Sequence, residues 1–168
     1  IGRTLQRLTW AREVVLLDSG SNDGTCSIAR SFPNVRVVVR SFDTHAAQWN
    51  YGLHETGIQS EWVLALDADY VLSVELIDVI GALLPAPEST GCRARFRYVV
   101  LGKALSGSMY PPVVTLYRRQ RAEYVQDGHT QRVVLDGSVL DLRSVIHHDD
   151  RKPLARWLAS QDRYAQLE

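Results

Sequence analysis

No charge of one sign dominates this chain: its 168 residues carry 19 lysines and arginines against 19 aspartates and glutamates. That balance gives no global pull toward nucleic acid, and any anion it binds must be met by a local site. Cysteine is scarce. Only Cys26 and Cys92 occur, neither in a CxxC pair nor beside a histidine cluster. A disulfide framework is therefore not expected, and both read as reduced thiols of a cytoplasmic protein. No apolar run approaches ~20 residues, so no helix should cross a bilayer. No secretory leader, repeat or low-complexity tract is visible.

What is present is an ordinary globular composition, 45% hydrophobic, in a length that suits one domain. Short apolar runs alternate with helical patterns in the first half. Glu13 to Leu17, Val35 to Val39 and Trp62 to Leu66 read as strands. Thr25 to Phe32, His45 to Thr56 and Ser73 to Leu84 read as helices, the last with Ser73 as N-cap. Continuously apolar strands alternating with helices predict an α/β domain with a mainly parallel central sheet flanked by helices. After Pro87 the pattern changes. Cys92 to Leu101, Val113 to Arg118, Gln131 to Leu135 and Val139 to Leu142 read as strands of a mixed or antiparallel half, closed by a helix over Pro153 to Leu167. One domain over 1–168 is expected, split near residue 87. Ile1 to Trp10 reads as a helix with no strand before it, so a first strand is missing from the pattern of such a domain.

Ligands of open parallel sheets bind beyond the carboxyl ends of the strands. Asp18, Asp67 and Asp69 all fall there. Clustered carboxylates repel unless a cation or donor group answers them. Asp67-Ala68-Asp69 could hold Mg²⁺ or Mn²⁺ through one acid and a hydroxyl or water through the other. The plainer reading is a pair of solubilising loop acids. Asp18-Ser19-Gly20-Ser21-Asn22-Asp23-Gly24-Thr25 joins a strand to a helix and offers backbone N–H groups suited to a nucleotide. The plainer reading there is a capped turn.

These two features, in this order and about fifty residues apart, resemble the family 2 glycosyltransferases of the GT-A fold. EVVLLDSGSNDGT is similar to that family's nucleotide loop, and SEWVLALDADYVLS to its DxD strand. Asn50 matches a helix asparagine, and the tail from His148 to Trp157, with Gln161 and Tyr164, resembles the lipopolysaccharide-core glucosyltransferase-like branch. The resemblance implies a nucleotide-sugar donor, a UDP-sugar first, and a glycan or lipid-linked acceptor. It implies that Asp18, with Ser19 and Gly20, meets the nucleobase side of the donor. Asp67 and Ala68 would lie by the ribose or metal shell, and Asp69 and His148 would hold the metal. His147 is the fallback for His148, and the bland alternative for both is a packing histidine. The chain departs from the family at Tyr70, where an acid is common, and has no QxxRW motif, since Pro153 precedes Arg156-Trp157.

Sugar transfer needs a base facing the acceptor. Asp127 is the choice and His129 the second, both in Gln126 to Arg132, which also reads as a polar Asp-Gly turn. Arg118, Arg119, Arg132 and Arg151 are unranked candidates for the diphosphate. Direct displacement with inversion is expected. A nucleotidyltransferase or a non-catalytic nucleotide- or glycan-binding domain are the rival readings. Leu154, Trp157 and Leu158 of the closing helix could pack on the core or rest peripherally on the inner face of a membrane.

Overall fold

The computed structural model describes residues 1–83, 86–100, 102–107, 111–128, 130–151 and 153–165. In chain order it shows α1 (Gly2–Gln6), β1 (Val14–Asp18), α2 (Thr25–Arg30), β2 (Val35–Val39), α3 (His45–His54), β3 (Trp62–Leu64), β4 (Tyr70–Leu72) and α4 (Val74–Gly81). There follow β5 (Ser89–Val100), β6 (Lys103–Ala104), β7 (Val113–Arg118), a 3-10 turn (Arg119–Arg121), β8 (Ala122–Asp127), β9 (Thr130–Leu135), β10 (Ser138–His148) and α5 (Leu154–Ala165). His129 and the side chains of Leu154 and Trp157 lie outside the described residues.

Local chemistry explains where several elements start and stop. Ser73 caps α4 by accepting from the Leu76 amide at 3.1 Å, as its position before an apolar helical pattern predicts. Thr44 does the same for α3 through the Ala47 amide. The first helix is shorter than its apolar pattern. It ends at Gln6, and the Trp10 indole donates to the Arg7 carbonyl at 2.8 Å as the chain turns toward β1.

The sheet is not mainly parallel. β1 and β2 form a separate parallel pair. The larger sheet runs β3-β7-β5-β10-β4, with β6 beside β5, and its only parallel pairing among the described strands is β5 with β10. Three apolar strands in a row predict parallel neighbours, but β3 pairs antiparallel with β7, which comes more than forty residues later. Antiparallel pairing in the second half agrees with its alternating pattern: along β5, Cys92, Ala94, Phe96 and Tyr98 are buried while Arg93, Arg95 and Arg97 are exposed.

Two apolar clusters cover the two faces. One joins Leu5, Leu8, Ala29, Leu72 and Leu76 to Phe96, Leu116 and Ile146. Fully burying one such side chain contributes roughly 1.5–3 kcal/mol. The other joins Ala46 and Leu53 of α3 to Tyr117, Ala122 and Tyr124, and so seats the β8–β9 hairpin on α3. Asn50 fastens that seat: its side chain donates to the Tyr124 carbonyl at 2.9 Å and accepts the Tyr124 amide at 2.8 Å.

β1 and β3 each have a strand neighbour on one edge only among the described residues. Both strands, with Leu5, Leu8, Trp49 and Leu53, line one largely apolar cavity of about 550 Å³.

Candidate active site

The sheet register builds the site. β10 runs antiparallel to β4, so His148 lies opposite Tyr70. Asp69, one residue earlier, is thereby brought to His148, with Oδ2 3.3 Å from Nε2. Where β10 ends, the Asp149 amide donates to the Asp69 carbonyl at 3.0 Å. Asp150 turns back toward the same point. Asp69, His148 and Asp150 each offer a donor atom, and these atoms lie within 4.8 Å of one another.

Neighbouring groups fix this rim. Thr4 of α1 donates to the Ala68 carbonyl at 2.8 Å. Arg3 pairs with the buried Asp149 at 2.8 Å, and Arg151 pairs with it at 3.2 Å. His148 sits between two rings: Tyr70 meets it edge-on at 5.1 Å, and Tyr98 lies over it at 4.5 Å.

Asp67 is electrostatically unusual. It keeps an exposed surface and lines the cavity beside β3. Even so, surrounding atoms displace water from its carboxyl and raise its pKa, and the charge of Asp69 adds to this. A hydrogen bond from Tyr70 and the nearby His148 and His45 act in the opposite direction. The Tyr70 hydroxyl is itself held above its ordinary range by burial and by Asp67.

Asp18 behaves differently. It is buried, and its Oδ2 accepts the amides of Gly20 at 2.9 Å and Ser21 at 2.8 Å. The Ser21 hydroxyl and these amides hold its carboxyl below the usual range despite burial. The loop N–H groups read from the sequence as free for a nucleotide are thus partly taken by Asp18. Gly20 turns with φ of 89°, a conformation that suits glycine. Ser19 accepts from Gln48 of α3 at 3.0 Å, and Gln48 in turn accepts from Arg40 at 2.6 Å.

The residues expected on the acceptor side are not drawn into this cluster. Asp127 ends β8, exposed, and pairs with Arg132 at 3.3 Å. Of the four arginines considered for a diphosphate, Arg118 pairs with Glu61 and packs over Trp62, where β3 begins and away from the rim. Arg132 is held by Asp127, Arg119 begins the 3-10 turn after β7, and Arg151 follows Asp150 and pairs with Asp149 next to the three donors.

Sequence reasoning missed Asp150. The signal was its place two residues after His148, which becomes informative once His148 is known to end a strand. It also treated Tyr70 only as a departure, whereas Tyr70 links Asp67 to His148.

One relative is the lipopolysaccharide core biosynthesis glycosyltransferase LpsC of Rhizobium meliloti (strain 1021), 28% identical over 107 residues, covering 61% of this chain and 39% of that protein. Another is an uncharacterized glycosyltransferase of Rickettsia bellii (strain RML369-C), 40% identical over 70 residues, covering 42% of this chain and 23% of that protein. The chain therefore spans well under half the length of both. The model of the family described as "Glycosyl transferase family 2" matches residues 1–130, which takes in the Asp18 loop and Asp67-Ala68-Asp69, and the chain belongs to that family.

Proposed function

We propose that the chain transfers a sugar from a nucleotide-sugar donor, a UDP-sugar, to a glycan or lipid-linked acceptor at the cytoplasmic face of the inner membrane. Mg²⁺ or Mn²⁺ would be held by Asp69, His148 and Asp150. The carrying observation is the convergence of these three donors at the strand ends. Two carboxylates and an imidazole suit a hard divalent cation, with the imidazole favouring Mn²⁺. A cation there would act as a Lewis acid on the departing diphosphate. Arg151 can add a second positive charge to that group, since it already stands beside Asp149. Asp67 takes a donor hydroxyl, and Ser19 and Gly20, in the loop that Asp18 shapes, take the nucleoside. A lipopolysaccharide-core acceptor is supported by the similarity to the Rhizobium glycosyltransferase of lipopolysaccharide core biosynthesis.

In the reaction the acceptor oxygen bonds to the anomeric carbon. The bond from that carbon to the diphosphate oxygen breaks, and the nucleoside diphosphate leaves with the electron pair. Asp127 takes the acceptor proton, and the configuration inverts. Asp127→Asn should abolish transfer while leaving nucleotide affinity unchanged; equal turnover by the variant, or a product of retained configuration, overturns this step.

A further strand seated between β1 and β3 would complete the reading: among the described residues each of these strands has a strand neighbour on one edge only, and both line the apolar cavity.

Calorimetry with UDP and GDP, in Mn²⁺ and in EDTA, tests the donor site. The expected result is Mn²⁺-dependent binding of UDP, weakened about a hundredfold or more in Asp69→Ala. Binding that ignores both EDTA and the substitution defeats the metal reading. If neither nucleotide binds, the same assay on a chain extended ahead of Ile1 separates an incomplete site from a wrong assignment.

A further inference from the structure

The three donors at the rim are not held alike. His148 is still inside β10, where its register against Tyr70 and Tyr98 fixes it from both sides. Asp69 lies in the turn that opens β4, and Asp150 lies just past the end of β10, so both stand outside the strands. The Asp149 amide donates to the Asp69 carbonyl at 3.0 Å and ties the two turns to each other. Helix α1 ties both to the core, into which its Leu5 packs. Thr4 donates to the Ala68 carbonyl at 2.8 Å, and Nη2 of Arg3 donates to the Asp149 carbonyl at 3.3 Å. Ala68 and Asp149 directly precede Asp69 and Asp150. Each contact therefore holds the peptide plane that leads into one donor carboxylate. A held plane restricts the backbone of the next residue, and with it the direction of its side chain.

Both side chains reach away from their own helix. Thr4 is buried, and its hydroxyl is spent on a distant loop. Arg3 also meets the Asp149 carboxylate through Nε at 2.8 Å, and Arg151 meets the same carboxylate at 3.2 Å. That carboxylate is nearly buried and stands in sequence between two donors. An unanswered acid there would compete for a cation, and two guanidinium groups keep it occupied. It is not among the three donors.

We propose that Arg3 and Thr4 are positioning residues, which set the geometry of a divalent-cation site that they do not touch. Their role depends on the cation reading above, and adds to it that the precision of the site comes from a helix that supplies no donor. Loosening such a site does not affect all cations equally. Mg²⁺ demands near-ideal octahedral geometry at short distances, whereas the larger Ca²⁺ accepts flexible arrangements. The two contacts from α1 therefore favour a small cation over a larger one.

Titration of the full chain with Mn²⁺, followed by the electron paramagnetic resonance of the free ion, tests this role. Displacement of Mn²⁺ gives the affinities for Mg²⁺ and Ca²⁺. Thr4→Val and Arg3→Ala should each weaken Mn²⁺ binding about tenfold, the usual cost of losing a group that orients a ligand. Mg²⁺ should weaken alongside Mn²⁺, and Ca²⁺ should weaken less. Thr4→Ser keeps the hydroxyl and should keep the affinity. Leu76→Val thins the same core away from both turns, so it should lower the midpoint of urea unfolding and leave Mn²⁺ binding unchanged. Should Thr4→Val fail to fold, Arg3→Ala carries the same test, since the Arg3 side chain is 44% exposed. Equal loss of Mn²⁺ affinity in Leu76→Val would show general loosening at work and overturn the proposal. So would unchanged affinity in Thr4→Val and Arg3→Ala, or equal losses for Mg²⁺ and Ca²⁺, in a protein whose Mn²⁺ binding Asp69→Ala abolishes. A wild-type protein that does not bind Mn²⁺, or binds it equally after Asp69→Ala, defeats the cation reading itself and the positioning role with it.

Discussion

Asp18 and Asp67 occupy the same topological place, the carboxyl end of a strand, and meet opposite environments. Asp18 is buried and spends its carboxylate on the amides of its own loop. Asp67 is more open to solvent, yet it is crowded at the rim, with Asp69 adding like charge. The first is pushed toward the ionised form and the second away from it. A strand-end aspartate is therefore not a site by position alone. Satisfied acids shape a loop, and frustrated ones invite a ligand.

The comparison can be broken most forcefully at Asp18. Asp18→Ala removes the charged acceptor of the Gly20 and Ser21 amides, and unfolding free energy should drop by about 1.5 kcal/mol in urea titrations. Affinity for Mn²⁺ should hardly change. A variant that keeps its stability but loses the metal would invert the roles given to the two acids.

A smaller effect, of opposite sign, is expected at Asp67. The folded state holds Asp18 below its unfolded pKa, so near and below that pKa the unfolded chain binds more protons and stability rises with pH. The contribution of Asp18 is complete above the unfolded value and is lost as pH falls through the folded one. For Asp67 the folded value is the higher one, so stability falls as pH climbs from the unfolded value to the folded one. Without metal, Asp67→Asn should remove that fall and leave the protein slightly more stable near neutrality. Denaturation series across pH, in EDTA, check both signs. A destabilised Asp67→Asn protein would show that crowding at the rim does not disfavour the charge.

Much of this is legible in the amino-acid sequence, and the reasons are local. The β1 and β2 strands announce themselves by their β-branched and aliphatic residues, broken in β2 only by Arg36, and α4 by Ser73 before its apolar face. The Asp67-Ala68-Asp69 turn follows from the end of a strand. Partner choice was not legible. Nothing in the sequence from Trp62 to Leu64 says that it will pair antiparallel with the later strand Val113 to Arg118, because pairing is decided between distant segments. β8 escaped for another reason. Its sequence AEYVQD alternates correctly, with Ala122 and Tyr124 buried, but it lacks the apolar density that marks a strand. The apolar pattern marks β10 only from Val139 to Leu142, whereas the strand continues past an irregularity between Asp141 and Val145 to reach His148. Asp150 became visible as a donor only with that extension.

The clasp between Asn50 and the Tyr124 backbone bears on how the molecule moves. An isolated two-stranded hairpin is marginal in water, and β8–β9 makes no sheet beyond itself among the described residues. It holds its shape because α3 grips it through Asn50 at the middle of the helix and through the Ala46 amide, which donates to Gln126 at 3.2 Å, at the start. The same helix reaches the opposite loop through Gln48 and Ser19. Helix and hairpin should therefore open and close as one cooperative unit, with the Tyr124 amide exchanging its proton only when α3 lets go.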